Sequence, residues 1–344
     1  MKNFTFVLLI VFFAFTGVYL SGCNGEVGQD LNQDPPTPAT DGALVLKSID
    51  GGVTWEKTFI RDFFVVYRIC LLSNSSTDKV GMVLSRNGND IKDLNSTTNF
   101  GQSWYSTFQS ASQILDIATA PGSGTNGGEN FATTTQSSIL KSVDEGNTWN
   151  VINIGVSGNA IDFYRNNNEE NFGIIMPQSS SGNTALYENY NWSLKAPIFN
   201  DPSEYLTDCE FIDDTTIIVC GNNGFLSRST DKGNSWELLE TTITSNLRAM
   251  DYFGGVIIIG TYEGNIVRST DRGESWVEIT TGLETLNGVF THTTSFWAFG
   301  TNAIAKSTDQ GLTWTQVYYD EFDRFNDMII ANNIVYVVGG RYVY

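Results

Sequence analysis

The octet Ser269-Thr270-Asp271-Arg272-Gly273-Glu274-Ser275-Trp276 lies between two apolar runs, at residues 265–268 and 277–279. An Asp in such a turn accepts hydrogen bonds from backbone amides just downstream. The Gly supplies the positive φ that a tight turn needs, and the Ser adds a local hydroxyl bond. The Trp opens the next strand with a large apolar surface. The octet therefore predicts a hairpin turn between two β-strands.

The octet recurs along the whole chain. The other copies that keep both the Asp and the Trp are Asp50 with Trp55, Asp144 with Trp149, Asp231 with Trp236, and Asp309 with Trp314. A looser copy ends at Trp104 and a worn copy ends at Trp192. The spacing falls from 49 residues between Trp55 and Trp104 to 38 between Trp276 and Trp314. Repeats of this length, with four short strands each, predict an all-β, seven-bladed β-propeller, or six blades if the worn copy is a spacer.

The repeated octet resembles the Asp-box (BNR) repeat. Proteins with this repeat include sialidases, the sortilin propeller, certain xyloglucan hydrolases and the Ycf48-type assembly factors. The resemblance implies that each octet joins the third and fourth strands of a blade, and that ligands bind the opposite face. The octet Asp and Trp residues are then structural. Because one fold hosts many activities, the resemblance says more about fold than about function.

The N-terminus predicts export. Residues 1–22 have a basic start and an apolar core, and Leu20-Ser21-Gly22-Cys23 is similar to a bacterial lipoprotein box, in which Cys23 is lipidated. An ordinary signal peptide or a membrane anchor is the alternative. Asn24 favours the outer membrane over inner-membrane retention. Residues 23–41 are interpreted as a flexible tether and residues 42–344 as the propeller, so the protein is expected to be lipid-anchored to the bacterial cell envelope.

Composition narrows the range of partners. The net charge of −19 argues against binding nucleic acid or docking electrostatically on anionic lipid. With one His and no phosphate-binding loop, we expect no metal and no cofactor. A monomer is expected.

The two ends of the chain are predicted to build one blade together. Residues 325–331 and 334–338 supply its inner strands, and residues 43–47 with the strand after Trp55 supply the outer ones. This pairing closes the ring and removes free sheet edges. Residues 341–344 either begin a third strand or compete with residues 43–47 for that place.

Two cysteines lie in neighbouring strand-like runs. If those runs form a hairpin with its tip at residues 214–215, Cys209 faces Cys220 across the ladder. Since export permits disulfides, the alternatives are a cross-strand disulfide and two buried free thiols. Cys70 is expected in the core.

Polar residues follow the first apolar residue of each predicted inner strand. They are Asp116, Asp162, Thr207, Arg248, Asn287 and Asn326, with Tyr67 or Arg68 as the seventh member. Two interpretations remain open, solvation of the central tunnel and a ligand pocket at its mouth.

A predicted loop at residues 317–324 is the densest mixture of aromatic and acidic residues on the expected ligand face. Its candidate residues are Tyr319, Asp320, Glu321 and Phe322, and residues 201–205 form a second candidate loop. Such a mixture suits sugar or protein recognition, and an ordinary acidic loop is the alternative.

The sequence does not contain a complete hydrolase set. Sialidases of the resembled family hold a carboxylate with three arginines, and here only Arg68 lies in a similar motif, which lacks its Pro. Arg228 and Arg268 stand beside octets, where a structural role is expected. We therefore predict a binding or assembly module for an envelope or extracellular protein or a surface glycan; an exo-sialidase-like or other glycoside hydrolase is the alternative.

Overall fold

The computed structural model describes residues 42–60, 63–72, 80–85, 91–97, 103–120, 128–165, 168, 170–199, 204–293 and 295–341. The predicted signal, Cys23 and the tether lie outside these residues. No helix within the described ranges is long and apolar enough to cross a membrane.

The described chain is built almost wholly of β-strands, with one short 3-10 helix at Asn222–Gly224. The strands are β1 (Gly42–Ser48), β2 (Glu56–Ile60), β3 (Val65–Leu71), β4 (Val80–Ser85), β5 (Ile91–Thr97), β6 (Tyr105–Gln109), β7 (Ile114–Ala120), β8 (Glu129–Thr134), β9 (Ser138–Ser142), β10 (Asn150–Asn153), β11 (Ala160–Arg165), β12 (Asn171–Met176), β13 (Asn183–Glu188), β14 (Asn191–Pro197), β15 (Leu206–Phe211), β16 (Ile217–Gly221), β17 (Leu226–Ser229), β18 (Glu237–Leu238), β19 (Leu247–Phe253), β20 (Val256–Thr261), β21 (Asn265–Ser269), β22 (Val277–Thr280), β23 (Leu286–His292), β24 (Ser295–Ser307), β25 (Thr315–Ala331) and β26 (Ile334–Arg341).

These strands form the sheets of an all-β propeller. Five sheets have four antiparallel strands each, in the chain order β3 to β6, β7 to β10, β11 to β14, β15 to β18 and β19 to β22. The sixth has the order β2-β1-β26-β25-β24-β23. The first strands of successive sheets contact one another around the centre, and β25 contacts β3 to complete the ring. The apolar core lies between the sheets.

The prediction of seven blades is therefore wrong, and the structure has six. The worn repeat is not the reason, because β11 to β14 form a complete sheet. The reason is the 17-residue strand β25, which pairs with β24 near its start and with β26 from Asp323 onward. It ends one repeat and begins the next, so two repeats share one six-stranded sheet.

The predicted pairing of the chain ends is confirmed. Strand β1 pairs with β26 from Gly42 opposite Arg341 to Ser48 opposite Val335, and β2 lies at the outer edge. Arg341 ends β26, and residues 342–344 lie outside the described residues. Lys57 of β2 and Arg341 of β26 both form ion pairs with Asp320 and Asp323 of β25. We call these four residues the closure cluster.

The octet turns have the hydrogen bonds that their sequence predicts. Asp271 Oδ1 accepts the Ser275 N–H at 2.9 Å, and its Oδ2 accepts the Ser275 hydroxyl at 2.5 Å. Ser269 Oγ donates to Asp271 and accepts the Gly273 N–H at 2.9 Å. Asp50, Asp144, Asp231 and Asp309 repeat this pattern. The bonds hold the pKa of Asp50, Asp271 and Asp309 at about 2.

In three cases a cation before an octet forms a hydrogen bond to the next octet turn around the ring. Arg228 donates to the carbonyl of Arg272, Arg268 to that of Gln310, and Lys306 to that of Gly51. Each accepting residue lies in the next octet turn around the ring and has a positive φ. Arg228 and Arg268 thus have a structural role, because each holds the next octet turn through a backbone carbonyl.

The three described cysteines are buried free thiols, so the disulfide alternative for Cys209 and Cys220 is wrong. A register shift between Leu206 and Asp208 pairs Cys209 with Val219, and Cys220 with Asp208. Cys209 packs in the core on one side of its sheet and Cys220 in the core on the other side. Adjacent positions in a strand point to opposite faces, which keeps the two sulfur atoms apart.

Candidate functional site

The face opposite the octet turns is where the first strand of each sheet begins. Octets follow the third strand of a sheet, and in an antiparallel sheet the third strand ends where the first strand also ends. The beginnings of the first strands and the connections between second and third strands therefore share the other end of the ring. We call this end the mouth face.

A cavity of about 360 Å³ opens on the mouth face. Most of its lining residues carry amide, hydroxyl or guanidinium groups. They are Tyr67, Arg68, Asn159, Gln178, Tyr205, Leu206, Thr207, Asn222, Arg248, Asn287 and Asn326. The cavity thus joins residues from several sheets.

β-bulges aim many of these side chains. The register shifts by one residue near the start of β3, β15, β19 and β23, and near the start of the segment of β25 that pairs with β26. The extra residues are Tyr67, Thr207, Arg248, Asn287 and Asn326, and every one of them lines the cavity. A bulge leaves its extra residue out of the ladder and re-aims its side chain. This repeated bulge builds the polar lining.

Three asparagines form hydrogen bonds to neighbouring inner strands at the cavity wall. Asn159 Nδ2 donates to the Leu206 carbonyl at 3.1 Å, and Asn287 Nδ2 donates to the Phe325 carbonyl at 2.8 Å. Asn326 Nδ2 donates to the Val66 carbonyl at 2.8 Å. A carbonyl can only accept, so the amide nitrogen must face it and the amide oxygen is left available.

The two arginines of the cavity differ in their surroundings. Arg68 Nε pairs with Asp116 at 3.1 Å, and its NH1 group donates to the Tyr67 carbonyl. The carboxylates of Asp116 and Asp327 raise the pKa of Arg68 against the opposing effect of burial. Arg248 is exposed and lies over the ring of Tyr262, 4.9 Å from its centroid. Of the two arginines, Arg68 is the one that forms an ion pair with a carboxylate beneath the cavity.

A belt of carboxyl groups surrounds the channel below the cavity. In five cases an Asp accepts a backbone N–H from the first strand of the next sheet, at 2.6 to 3.0 Å. The donor follows each acceptor in this list: Asp116 and Ile161, Asp162 and Phe211, Asp208 and Met250, Asp251 and Thr291, Asp327 and Ile69. We call these aspartates and Glu210 the carboxyl belt.

Burial by the surrounding strands is the main cause of raised pKa values in the belt. It raises the pKa of Asp162 and of Asp327 to about 6, that of Asp251 to about 7 and that of Asp208 to about 8. It also raises the pKa of Glu210 well above the ordinary value, with repulsion from Asp162, Asp251 and Asp208. All six residues of the belt are half-buried. In the part of the chain that is described, no three such groups are arranged to hold a metal ion.

The structure brings some predicted site residues together and separates others. Arg68, Thr207, Arg248, Asn287 and Asn326 meet at the cavity. Asp116 and Asp162 belong to the belt below it, one level deeper than predicted. Tyr205 of the second candidate loop also lines the cavity. The site residues not predicted from the sequence are Asn159, Gln178, Asn222, Asp208, Glu210, Asp251 and Asp327. A signal was available for some of them, because Asp208, Asp251 and Asp327 recur in predicted inner strands.

The predicted loop at residues 317–324 is instead part of β25. Asp320 belongs to the closure cluster, and Phe322 lies under Arg341, 5.2 Å from the guanidinium carbon. Tyr319 and Glu321 are exposed on the strand. None of these four candidates lines the cavity. In the second candidate loop, residues 201–203 lie outside the described residues.

Exposed aromatic side chains stand around the mouth face. Phe64 precedes β3, Phe199 follows β14, Tyr205 precedes β15 and Tyr262 follows β20, all at the ends of strands on this face. Their exposed fractions range from 37% to 51%. Aromatic side chains and Arg are the residue types enriched in protein interfaces.

Comparison with solved structures shows the β-propeller fold. A structure of Ycf48 bound to a D1 peptide aligns with a TM-score of 0.59 and 15% identity, over 90% of this chain and 98% of that one. Ycf48 from Cyanidioschyzon merolae aligns with a TM-score of 0.56 and 13% identity, over 81% of this chain and 95% of that one. The WD40 propeller domain of Doa1 aligns with a TM-score of 0.59 and 8% identity, over 80% and 92%. No family model and no curated protein matches the sequence.

Proposed function

We propose that the protein is a rigid binding module that recognises a protein partner through the mouth face. The observation that carries this proposal is the combination, on one face, of exposed aromatic residues and a polar cavity lined by two arginines. Interfaces of this composition place aromatic anchors around hydrogen-bonding groups. Among the structural neighbours, one propeller of similar shape is bound to a peptide.

The finer identity of the repeats and the anchor belongs to the same proposal. We take the octets to be Asp boxes of a BNR-type propeller related to the Ycf48-type proteins, because their Ser, Asp and Gly residues make the bonds that such a turn requires. We also take Cys23 to be lipidated and to anchor the protein in the outer membrane of a bacterial envelope. Strand β1 begins on the mouth face, so the tether would attach there and hold that face toward the membrane.

Site-directed crosslinking tests the proposal. A photoreactive amino acid at Tyr205 on the mouth face should crosslink to one specific partner protein in cells. The matched control is Tyr190, which is about equally exposed, at 56% against 51%, but lies in the turn between β13 and β14 on the octet side. Specific crosslinks from position 190 with none from position 205 would place the interface on the other face.

A surface glycan is the second candidate partner. Tyr205 and Tyr262 present exposed rings beside amide-bearing residues of the cavity, and that combination also suits stacking against sugar rings. Screening the purified protein on a glycan array distinguishes the two. Saturable glycan binding that is lost in Tyr262→Ala, together with no protein crosslink at position 205, would favour the glycan.

A further inference from the structure

The wall of the mouth-face cavity presents hydrogen-bond acceptors. Asn159, Asn287 and Asn326 each donate a hydrogen bond from the amide nitrogen to a backbone carbonyl, in β15, β25 and β3 respectively. Their amide oxygens accept no hydrogen bond from another described residue, and all three residues line the cavity. A group that enters the cavity therefore meets these oxygens, and donors rather than acceptors satisfy them.

The surroundings of the cavity floor are acidic. Thr207 and Asn326 line the cavity, and the next residue in each strand, Asp208 and Asp327, belongs to the carboxyl belt. The cation of the floor is Arg68, which is already paired with Asp116. The belt thus contains more carboxyl groups than this one guanidinium can balance.

The excess of carboxyl groups over cations is greatest around Glu210. Its carboxyl group makes no hydrogen bond or ion pair with another described residue, and the charged groups that act on it are Asp162, Asp208 and Asp251. All of these are acidic. An entering cation would favour the ionised forms of these carboxyl groups, whereas an entering anion would disfavour them.

Arg248 does not reverse this preference. It is exposed and lies over the Tyr262 ring, so its charge is largely screened by water at the rim of the cavity. The net charge of the whole chain, −19, acts in the same direction as the belt and attracts a basic partner.

We infer that the group which enters the cavity is a protonated amine, such as the lysine side chain of a basic segment in the partner. This inference rests on the proposed function, because it names the chemistry of the partner group at the same site. It assigns the asparagine oxygens as acceptors of the ammonium protons and the carboxyl belt as the source of the favourable field.

Two small probes of equal chain length and opposite charge test the inference. Butylammonium and pentanoate are titrated separately into the purified protein, and binding is followed through the ¹⁵N side-chain amide signals of Asn287 and Asn326. We expect butylammonium to shift these signals to saturation and pentanoate to leave them unchanged. Saturable shifts of these amide signals with pentanoate would overturn the inference. The absence of any shift at butylammonium concentrations on the order of 100 mM would also overturn it.

Three variants sharpen the test. Asp162→Asn removes a belt carboxyl whose pKa of about 6 leaves it largely ionised at pH 7, and it should weaken butylammonium binding roughly threefold or more. Arg248→Ala removes the opposing charge and should leave binding equal or tighter. Glu237→Gln, on an exposed side chain at β18, is the matched control and should change nothing. Loss of butylammonium binding in Arg248→Ala would contradict the assignment of Arg248 as an opposing charge.

The outcomes separate this inference from the proposed function. Crosslinking at Tyr205 depends on the location of the interface and not on the charge of the group that enters. A partner crosslinked there, with pentanoate as the probe that binds, would keep the mouth-face proposal and refute the amine. Binding of butylammonium without any crosslinked partner would keep the amine site and refute the mouth-face proposal.

Discussion

Replacing Asp323 with Asn should destabilise the protein far more than the same change at Asp320. Both aspartates lie in the closure cluster, which joins β2, β25 and β26. Asp323 is fully buried, with Lys57 Nζ at 2.6 Å, Arg341 NH1 at 3.3 Å and the Tyr318 hydroxyl at 2.8 Å. Asp320 binds the same two cations, but its side chain is 24% exposed.

The magnitudes follow from burial. Removing one partner of a buried ion pair costs about 3–5 kcal/mol, because the remaining charge stays desolvated. Lys57 and Arg341 are each roughly one-fifth exposed and keep Asp320 as a partner, which reduces the expected loss at Asp323 to about 2–4 kcal/mol. A partly solvated pair contributes about 1 kcal/mol or less, and this is the loss expected for Asp320→Asn.

Equilibrium urea denaturation followed by tryptophan fluorescence measures both losses. The Asn variants have nearly the same volume as the parent residues, so the comparison isolates charge. Since the cluster joins strands from the two ends of the chain, Asp323→Asn should also speed limited proteolysis. Equal losses at the two positions, or a loss below 1 kcal/mol at Asp323, would refute the argument from burial.

Three further predictions concern the octets, the belt and the thiols. Asp271→Asn should lower the free energy of unfolding by about 1 kcal/mol, measured in urea, because an amide replaces the acceptor of the Ser275 hydroxyl. The raised pKa values of the belt mean that the folded state holds more protons than the unfolded state, so stability should fall as pH rises from about 4 to about 8. Denaturation at a series of pH values checks this, and Asp208→Asn should flatten the slope. The thiols of Cys70, Cys209 and Cys220 should react with a thiol reagent only after unfolding, because all three are buried.

Sequence reasoning succeeded where the chemistry is local. The octet contains its own donors and acceptors, so Ser269, Asp271 and Gly273 form the turn without help from distant residues. The continuous apolar run of β20 was likewise predictable. Ile257 and Ile259 pack on one side of its sheet and Ile258 on the other, as a strand buried between two blades requires.

It failed where one residue of register decides the outcome. Because of the bulge between Leu206 and Asp208, Cys209 pairs with Val219 and not with Cys220. No residue type in that stretch predicts a bulge. The same kind of bulge puts Asn326 at the cavity and Asp327 in the belt. The prediction of seven blades is wrong for a related reason, because the charged residues in the middle of β25 have the composition of a loop although they continue one strand.

Aspartate has two opposite roles in this chain, and the backbone explains both. In an octet, Asp271 is exposed and accepts bonds from its own turn, so its charged form is favoured. In the belt, Asp208 is surrounded by strands and its charged form is disfavoured. Each first strand is the inner edge of a sheet, and an edge strand has N–H groups without a ladder partner.

The belt aspartates supply those missing acceptors. Met250 N–H of β19 donates to Asp208, and Ile69 N–H of β3 donates to Asp327. A buried N–H without an acceptor costs about 1–3 kcal/mol, so a carboxyl group is retained there even though burial opposes its charge. The belt aspartates are needed as acceptors for backbone N–H groups. Their carboxyl groups also act on any group that enters the cavity from the mouth face. Ring closure and the preference for a cationic partner group thus have one physical origin.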